Sequence, residues 1–203
     1  MRSLIFLLLL SFNTSAALYD RGNGLIYDDV LDITWLQDAN YSQTSGFDAD
    51  GRMGWNAANT WTSQLQYAGY DGWRLASAGN PPASNLNVTT GELGHMFYIN
   101  LGNTAGSSIL SNLSFSNAAF EDGTESFFNV QPNTYWLAEE LAGNTFFAWG
   151  FDTSLGDQNQ NPKTNGYFSW AVHDGDIGAS PVPLPAAFWL FTSGLISLRL
   201  FKR

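Results

Sequence analysis

Two short stretches of this 203-residue chain gather side chains with chemical capacity. The first is FDADGRMGW, where Asp48, Asp50 and Gly51 follow the start of a calcium loop. A hard cation takes clustered oxygen ligands, and a glycine permits the sharp turn. The rest of an EF-hand is missing, because Arg52 stands at the fifth position and Asn59, not glutamate, at the twelfth. An Asx turn ahead of a helix accounts for the same residues equally well. The second stretch is FDTSLGDQNQNPKTNGY, with Asp152, Asp157, Asn159, Asn161 and Asn165. Amide side chains donate and accept at once, which suits hydroxyl-rich ligands, and carboxylates also chelate calcium. It reads as a polar loop between two strands, the kind of segment on which binding residues concentrate. Asp152, Asp157, Asn159 and Asn161 are therefore the candidate ligand-binding residues. Asp48 and Asp50 are the candidate metal ligands, and calcium is the candidate cofactor.

Other chemistry has weaker support. The chain has no cysteine, which excludes thiolate nucleophiles and cysteine metal sites. His95 and His173 lie far apart, with no partner at metal-ligand spacing, and no G-x-S-x-G, phosphate loop or zinc signature is present. Glu139 and Glu140 invite glycoside hydrolysis, which needs two carboxylates flanking a bond. Neighbours on a strand point to opposite faces, so one of this pair is expected inside and one in solvent. No catalytic residue is assigned, and a non-enzymatic role is expected. Eight tryptophans invite sugar stacking, but Trp61, Trp73, Trp136, Trp149 and Trp170 fall on positions that core packing explains, which leaves Trp55 the least committed.

The elements that must position these residues divide by hydrophobic period. Leu25–Tyr27 and Ile33–Leu36 read as strands around an Asp-rich turn. MGWNAANTWTSQLQYAGY then switches to helical spacing, with Ala58, Trp61, Leu65 and Ala68 on one face and Gly69 at the C-terminal cap. A second helix is expected in VTTGELGHMFYINLG, where Thr89 and Glu92 have capping-box spacing and Leu93, Met96 and Phe97 form the buried stripe. SFFNV, NTYWLAEE, NTFFAWGFD and GYFSWAVHD alternate as strands, with Phe147, Trp149 and Phe151 on one face and Phe168, Trp170 and Val172 on another. Helices early and strands late predict an α+β fold with a mostly antiparallel sheet.

Charge is distributed unevenly. All 18 acidic residues lie between Asp20 and Asp176, whereas Arg2, Arg199, Lys202 and Arg203, half of the basic ones, sit at the ends. So acidic a body repels phosphate backbones and anionic surfaces, which argues against nucleic acid as a partner, although solubility alone is a sufficient reason for the charge. Residues 1–17 have the order of a secretory signal peptide: Arg2, an apolar run from Leu4 to Leu10, then small residues before a cleavage point near Ala16 or Ala17. The body is expected over 18–177, a linker over 178–185, and a short transmembrane helix with a basic tail over 186–203. Ala186 to Phe201 is 16 residues with Arg199 as the single charge. As a helix it would reach about 24 Å, short of the roughly 30 Å hydrocarbon core, which makes a marginal, transient anchor.

Two resemblances follow from these segments. The ending VPLPAAFWLF…SLRLFKR, with Val182, Pro183, Leu184 and Pro185 ahead of the apolar stretch, resembles the VPLPA variant of the PEP-CTERM sorting signal. That resemblance implies a Gram-negative bacterium, an exosortase-type membrane protease as partner, and delivery from the inner membrane to an exopolysaccharide-rich surface or matrix. GLIYDDVLDITWLQDAN, DADGRMGWNAANTWTSQL, GYDGWRLAS, GELGHMFYINLGN, YWLAEE and FDTSLGDQNQNPKTNGYFSWAVHDG follow in order the pattern of the Lcl C-terminal-type domain. Ala76 and Leu137-Ala138-Glu139 depart from that pattern locally. The second resemblance implies a fold similar to C-type lectins and a role in adhesion or in binding polysaccharide or a surface protein. A hydrolase acting on exopolysaccharide and a self-associating matrix protein are the alternatives.

Overall fold

The structure, a computed structural model, describes residues 18–112 and 127–178. The expected signal peptide, the Val182-Pro183-Leu184-Pro185 motif and the apolar segment 186–203 lie outside the described residues. Among the described residues, no helix is long and apolar enough to cross a membrane.

The fold is α+β, with few helices and two antiparallel sheets among the described residues. The first sheet holds β1 (Leu18–Asp20), β2 (Leu25–Asp28), β3 (Ile33–Leu36), β4 (Arg74–Leu75) and, from the far end of the body, β9 (Ala171–Asp174). Its order is β1-β2-β3-β9-β4. The second, in the order β5-β8-β7-β6, holds β5 (Asn85–Leu86), β6 (Thr134–Glu140), β7 (Phe147–Asp152) and β8 (Asp157–Pro162). Backbone bonds join the sheets: Ala138 donates to the Ala76 carbonyl at 2.9 Å, and Trp136 to that of Phe168 at 2.9 Å.

The early helices are shorter than their patterns predict. After a single turn, α1 (Tyr41–Thr44), comes α2 (Trp55–Gln64), which buries Ala58 and Trp61. Leu65, also buried, already has extended backbone, and Ala68 lies at φ 52° within a tight Tyr67–Tyr70 turn together with Gly69. Ala68 therefore leaves the helical stripe, and Gly69 serves that turn instead of capping the helix. A third helix begins as α3 (Glu92–His95) and widens into a π-helical turn over Met96–Asn100, with Leu93, Met96 and Phe97 buried as the spacing predicts. The Thr89–Glu92 capping box does not form, because Glu92 enters the helix one residue after Gly91. Its carboxylate accepts from the Ser77 backbone N–H at 2.7 Å and from both terminal nitrogens of Arg74 at 2.8 Å. Burial alone would lower the Arg74 pKa, but hydrogen bonds and charge from Glu92 and Asp174 outweigh it and raise it. SFFNV contributes one parallel bridge, Asp38 to Phe128, and no strand among its described residues.

The core is aromatic. Trp35, Tyr135, Trp136, Phe151 and Trp170 are fully enclosed. Trp170 meets Trp35, Phe127 and Tyr135 at centroid distances of 5.2, 4.9 and 5.9 Å and donates its indole N–H to the Leu36 carbonyl at 2.7 Å. At the rim, Tyr27 gives its hydroxyl to Asp32 at 2.9 Å. Burial first, then that bond, raises its pKa from 10.0 to about 12. The neutral phenol is favoured in the fold, so its contribution is present below pH 10.0 and is lost as pH rises through about 12.

Trp170→Ala should cost about 3–5 kcal/mol in urea unfolding, as expected when a large buried ring is removed. Asp32→Asn should lower the Tyr27 phenolate midpoint part of the way back, read by absorbance titration, because burial persists when the carboxylate is gone.

Candidate functional site

The stretch taken as a polar loop is mostly strand. FDTSLGDQNQNP forms the β7–β8 hairpin, in which Asp152 faces Asp157, Gly150 faces Asn159 and Ala148 faces Asn161. Directly opposite residues share a face of the sheet, so the register brings Asp152, Asp157, Asn159 and Asn161 together. Thr134, opposite Asp152 on β6, joins the same face.

The turn is fixed tightly. Gly156 has φ +77°, and a Cβ there would lie 2.4 Å from the Tyr98 hydroxyl and 2.7 Å from Phe97. Its N–H closes onto the Asp152 carbonyl at 2.8 Å. Buried Thr153 donates its hydroxyl to the Gln131 and Asn133 carbonyls at 2.7 and 2.9 Å, tying the hairpin to the approach of β6. Under β8, buried Gln158 donates to the Ala78 and Ala83 carbonyls at 3.0 and 2.9 Å, and this holds β8 against the loop before β5.

On the outer face lies an open cleft of about 190 Å³ lined by Thr134, Gly150, Asp152, Asp157, Asn159, Asn161 and Tyr167. All four candidate ligand-binding residues are there. Gly150 is the floor: a Cβ would come within 2.8 Å of Thr134 Cγ2 and 3.1 Å of Asn161 Nδ2. A hydrogen-bond network orients the lining. Tyr167 donates its hydroxyl to Asn161 Oδ1 at 3.1 Å and accepts from Asn165 at 2.9 Å. Ser84 donates to Asn159 Oδ1 at 2.8 Å, and the Asn159 amide donates to Asp157 Oδ2. Asp152 Oδ1 accepts from the Ser154 N–H and hydroxyl at 2.8 and 2.6 Å. Asp152 Oδ2 and Asp157 Oδ1 have no protein hydrogen-bond partner among the described residues. Tyr167 itself packs on Trp136 with centroids 4.9 Å apart, and its backbone exchanges both hydrogen bonds with Met53.

The other candidates stand apart from the cleft. Asp48 Oδ1 accepts the backbone N–H groups of Asp50 and Gly51 at 3.1 and 2.9 Å, and Asp50 accepts that of Arg52 at 3.0 Å. This is Asx-turn geometry, and the Arg52 N–H bond is the first cause that holds the Asp50 pKa below its usual value. Among the described residues no group of three or more His, Cys, Asp or Glu is arranged to hold a metal. Glu139 accepts from the Ser77 hydroxyl and the Ala78 N–H at 2.6 and 2.7 Å, while Glu140 pairs with Lys163. Trp61, Trp73, Trp136, Trp149 and Trp170 are buried. Half-buried Trp55 donates its N–H to the Leu137 carbonyl at 2.7 Å and carries the Lys163 ammonium 4.3 Å over its ring. His173 packs edge-on against Trp73 at 5.5 Å.

Thr134, Gly150 and Tyr167 are the cleft residues that sequence reasoning missed. Thr134 becomes visible once β6 is paired with β7, whereas Tyr167 arrives through a bridge to Met53 that no spacing announces. No protein family, curated protein or solved structure matches the chain.

Asp48→Ala should destabilise the body by about 0.5–1.5 kcal/mol in urea unfolding, because it removes the acceptor of two turn N–H groups, one of them part-buried. The loss should be the same in chelator as in millimolar calcium; a loss confined to calcium-containing buffer would make Asp48 a ligand instead.

Proposed function

We propose that this is an exported surface or extracellular-matrix protein whose body, lectin-like in fold, binds glycan through the β7–β8 cleft without catalysing a reaction. The observation that carries the reading is the convergence of Asp152, Asp157, Asn159 and Asn161 with Thr134 and Tyr167 around a glycine floor. Sugar hydroxyls need partners that donate and accept in fixed directions, and the Asn159 and Asn161 amides are held in place while keeping spare capacity for a ligand. Preorganised polar groups lose little entropy on binding.

The resemblance of the C-terminal VPLPA segment to an exosortase sorting signal supports the route. In this reading the signal peptide exports the chain, the apolar segment anchors it transiently in the inner membrane, and an exosortase-type protease releases it to the surface. A polysaccharide is the partner, and calcium through Asp48 and Asp50 becomes its cofactor only if the Asp48→Ala loss above proves confined to calcium-containing buffer. A hydrolase would have to draw on Asp152 and Asp157, since Glu139 and Glu140 are engaged by Ser77, Ala78 and Lys163.

The full chain, purified in mild detergent, should be retained on immobilised polysaccharide. Asn159→Ala combined with Asn161→Ala should weaken retention tenfold or more, equivalent to about 1.4 kcal/mol or greater. Unchanged binding by the double variant, or release of reducing sugar by the parent chain, would remove this reading.

A further inference from the structure

The cleft contains a charge imbalance that its fold does not resolve. Asp152 and Asp157 stand directly opposite each other on paired strands, an arrangement that is unfavourable for like charges. Among the described residues, no cation is paired with them. The described residues include four Lys and Arg side chains. Arg21 holds Asp176 through two bonds of 2.8 Å, Arg74 holds Glu92 and Asp174, and Lys163 holds Glu140. Arg52 donates to the Gly166 carbonyl at 3.1 Å and lies 6.0 Å over the Phe168 ring. None is ion-paired with either cleft carboxylate.

Resting on the glycan reading above, we infer that the cleft takes an amine-bearing sugar unit, of the deacetylated hexosamine class, with its ammonium between Asp152 and Asp157. An ammonium offers three donors and no acceptor. Asp152 Oδ2 and Asp157 Oδ1 are acceptors without a hydrogen-bond partner among the described residues, on the same face of the same hairpin. Charge-assisted hydrogen bonds of this kind are about twice as strong as neutral ones. The ring hydroxyls then meet Thr134, Asn159, Asn161 and Tyr167, which carry no formal charge. At about 190 Å³ the cleft is smaller than a drug-sized pocket of roughly 300–1,000 Å³, which favours one sugar ring over a bulkier group. A calcium ion fits this lining less well. It takes about six to eight oxygen ligands, whereas Asn159 Oδ1 and Asn161 Oδ1 already accept from Ser84 and Tyr167. The acidity of the whole body adds a long-range attraction for a polycation and repels uronate or sulfated polymers.

The test is calorimetric titration of the full chain with two probes of equal length, a fully deacetylated glucosamine oligomer and its N-acetylated twin. The deacetylated oligomer should bind at least tenfold tighter at low salt, and the preference should shrink as salt screens it. Asp157→Asn and Asp152→Asn should each remove most of the preference, while Asp71→Asn, the same charge change outside the cleft, should leave it intact. Equal affinity for the two oligomers, lost together in the Asn159→Ala and Asn161→Ala double variant, would overturn the ammonium inference and leave the glycan reading standing. A preference that Asp71→Asn removes as fully as Asp157→Asn would overturn the inference as general polycation attraction. Binding of neither oligomer, nor of any neutral glycan, would overturn both.

Discussion

Strand β9 is hydrogen-bonded to β3 on one side and to β4 on the other, so the first sheet is continuous only when the end of the body returns between strands laid down early. The segment leading into it does a second job. Phe168 exchanges backbone bonds with β6, Tyr167 exchanges them with Met53, and Trp170 plugs the space among Trp35, Phe127 and Tyr135. One run of eight residues, Tyr167 to Asp174, thus closes the sheet, fills the core and supplies a wall of the cleft. The chain has no cysteine, so this closure rests on packing and hydrogen bonds, with the Arg21–Asp176 and Arg74–Asp174 ion pairs along its outer edge. The cleft is therefore coupled to a strand pairing that joins the two ends of the body.

What was legible in the sequence follows the hydrophobic signal. Ile33–Leu36, β6, β7 and β9 are apolar enough to be found, and the Leu93, Met96 and Phe97 stripe is buried as spacing implies. Strand β8 was illegible for the same reason. Asp-Gln-Asn-Gln-Asn-Pro carries no apolar side chain before the terminal Pro162, and Gln158, the buried residue of the strand, is satisfied by the carbonyls of Ala78 and Ala83. A buried amide with hydrogen-bond partners takes the place of an aliphatic residue, and a hydropathy pattern cannot register the exchange. Glu92 failed as a capping residue for a related reason: Arg74, distant in sequence, offers its carboxylate a stronger partner than the free N–H groups of a helix.

The ligand-binding candidates were legible by composition but assembled only by register. Asp152, Asp157, Asn159 and Asn161 were taken from one polar stretch on the strength of residue type, and in a loop nothing would have aligned them. Strand geometry does, because every second residue of β8 faces the same side. Gly150 then matters through what it lacks, since any side chain opposite Asn159 would fill the space between the strands. At Asp48 and Asp50 the same residue types instead accept the backbone N–H groups of the turn that contains them.

This contrast bears on how the cleft should be understood. In an Asx turn the carboxylate belongs to the backbone, and its charge is spent on N–H groups one to three residues away. On β8 the backbone N–H groups of the hairpin are paired across the ladder, so the Asp157 carboxylate has no such duty. Among the described residues it accepts a side-chain hydrogen bond from the amide of Asn159, and Asp152 lies directly opposite it across the ladder. Asp152 does hold the Ser154 N–H in such a turn, whereas Asp157 holds no backbone N–H of its own turn. Placing them directly opposite one another costs stability, and natural sequences depart from local rules of this kind chiefly where function demands it. On the reading proposed above, a donor-rich cation would relieve that repulsion, which would make the same pair of charges a recognition element.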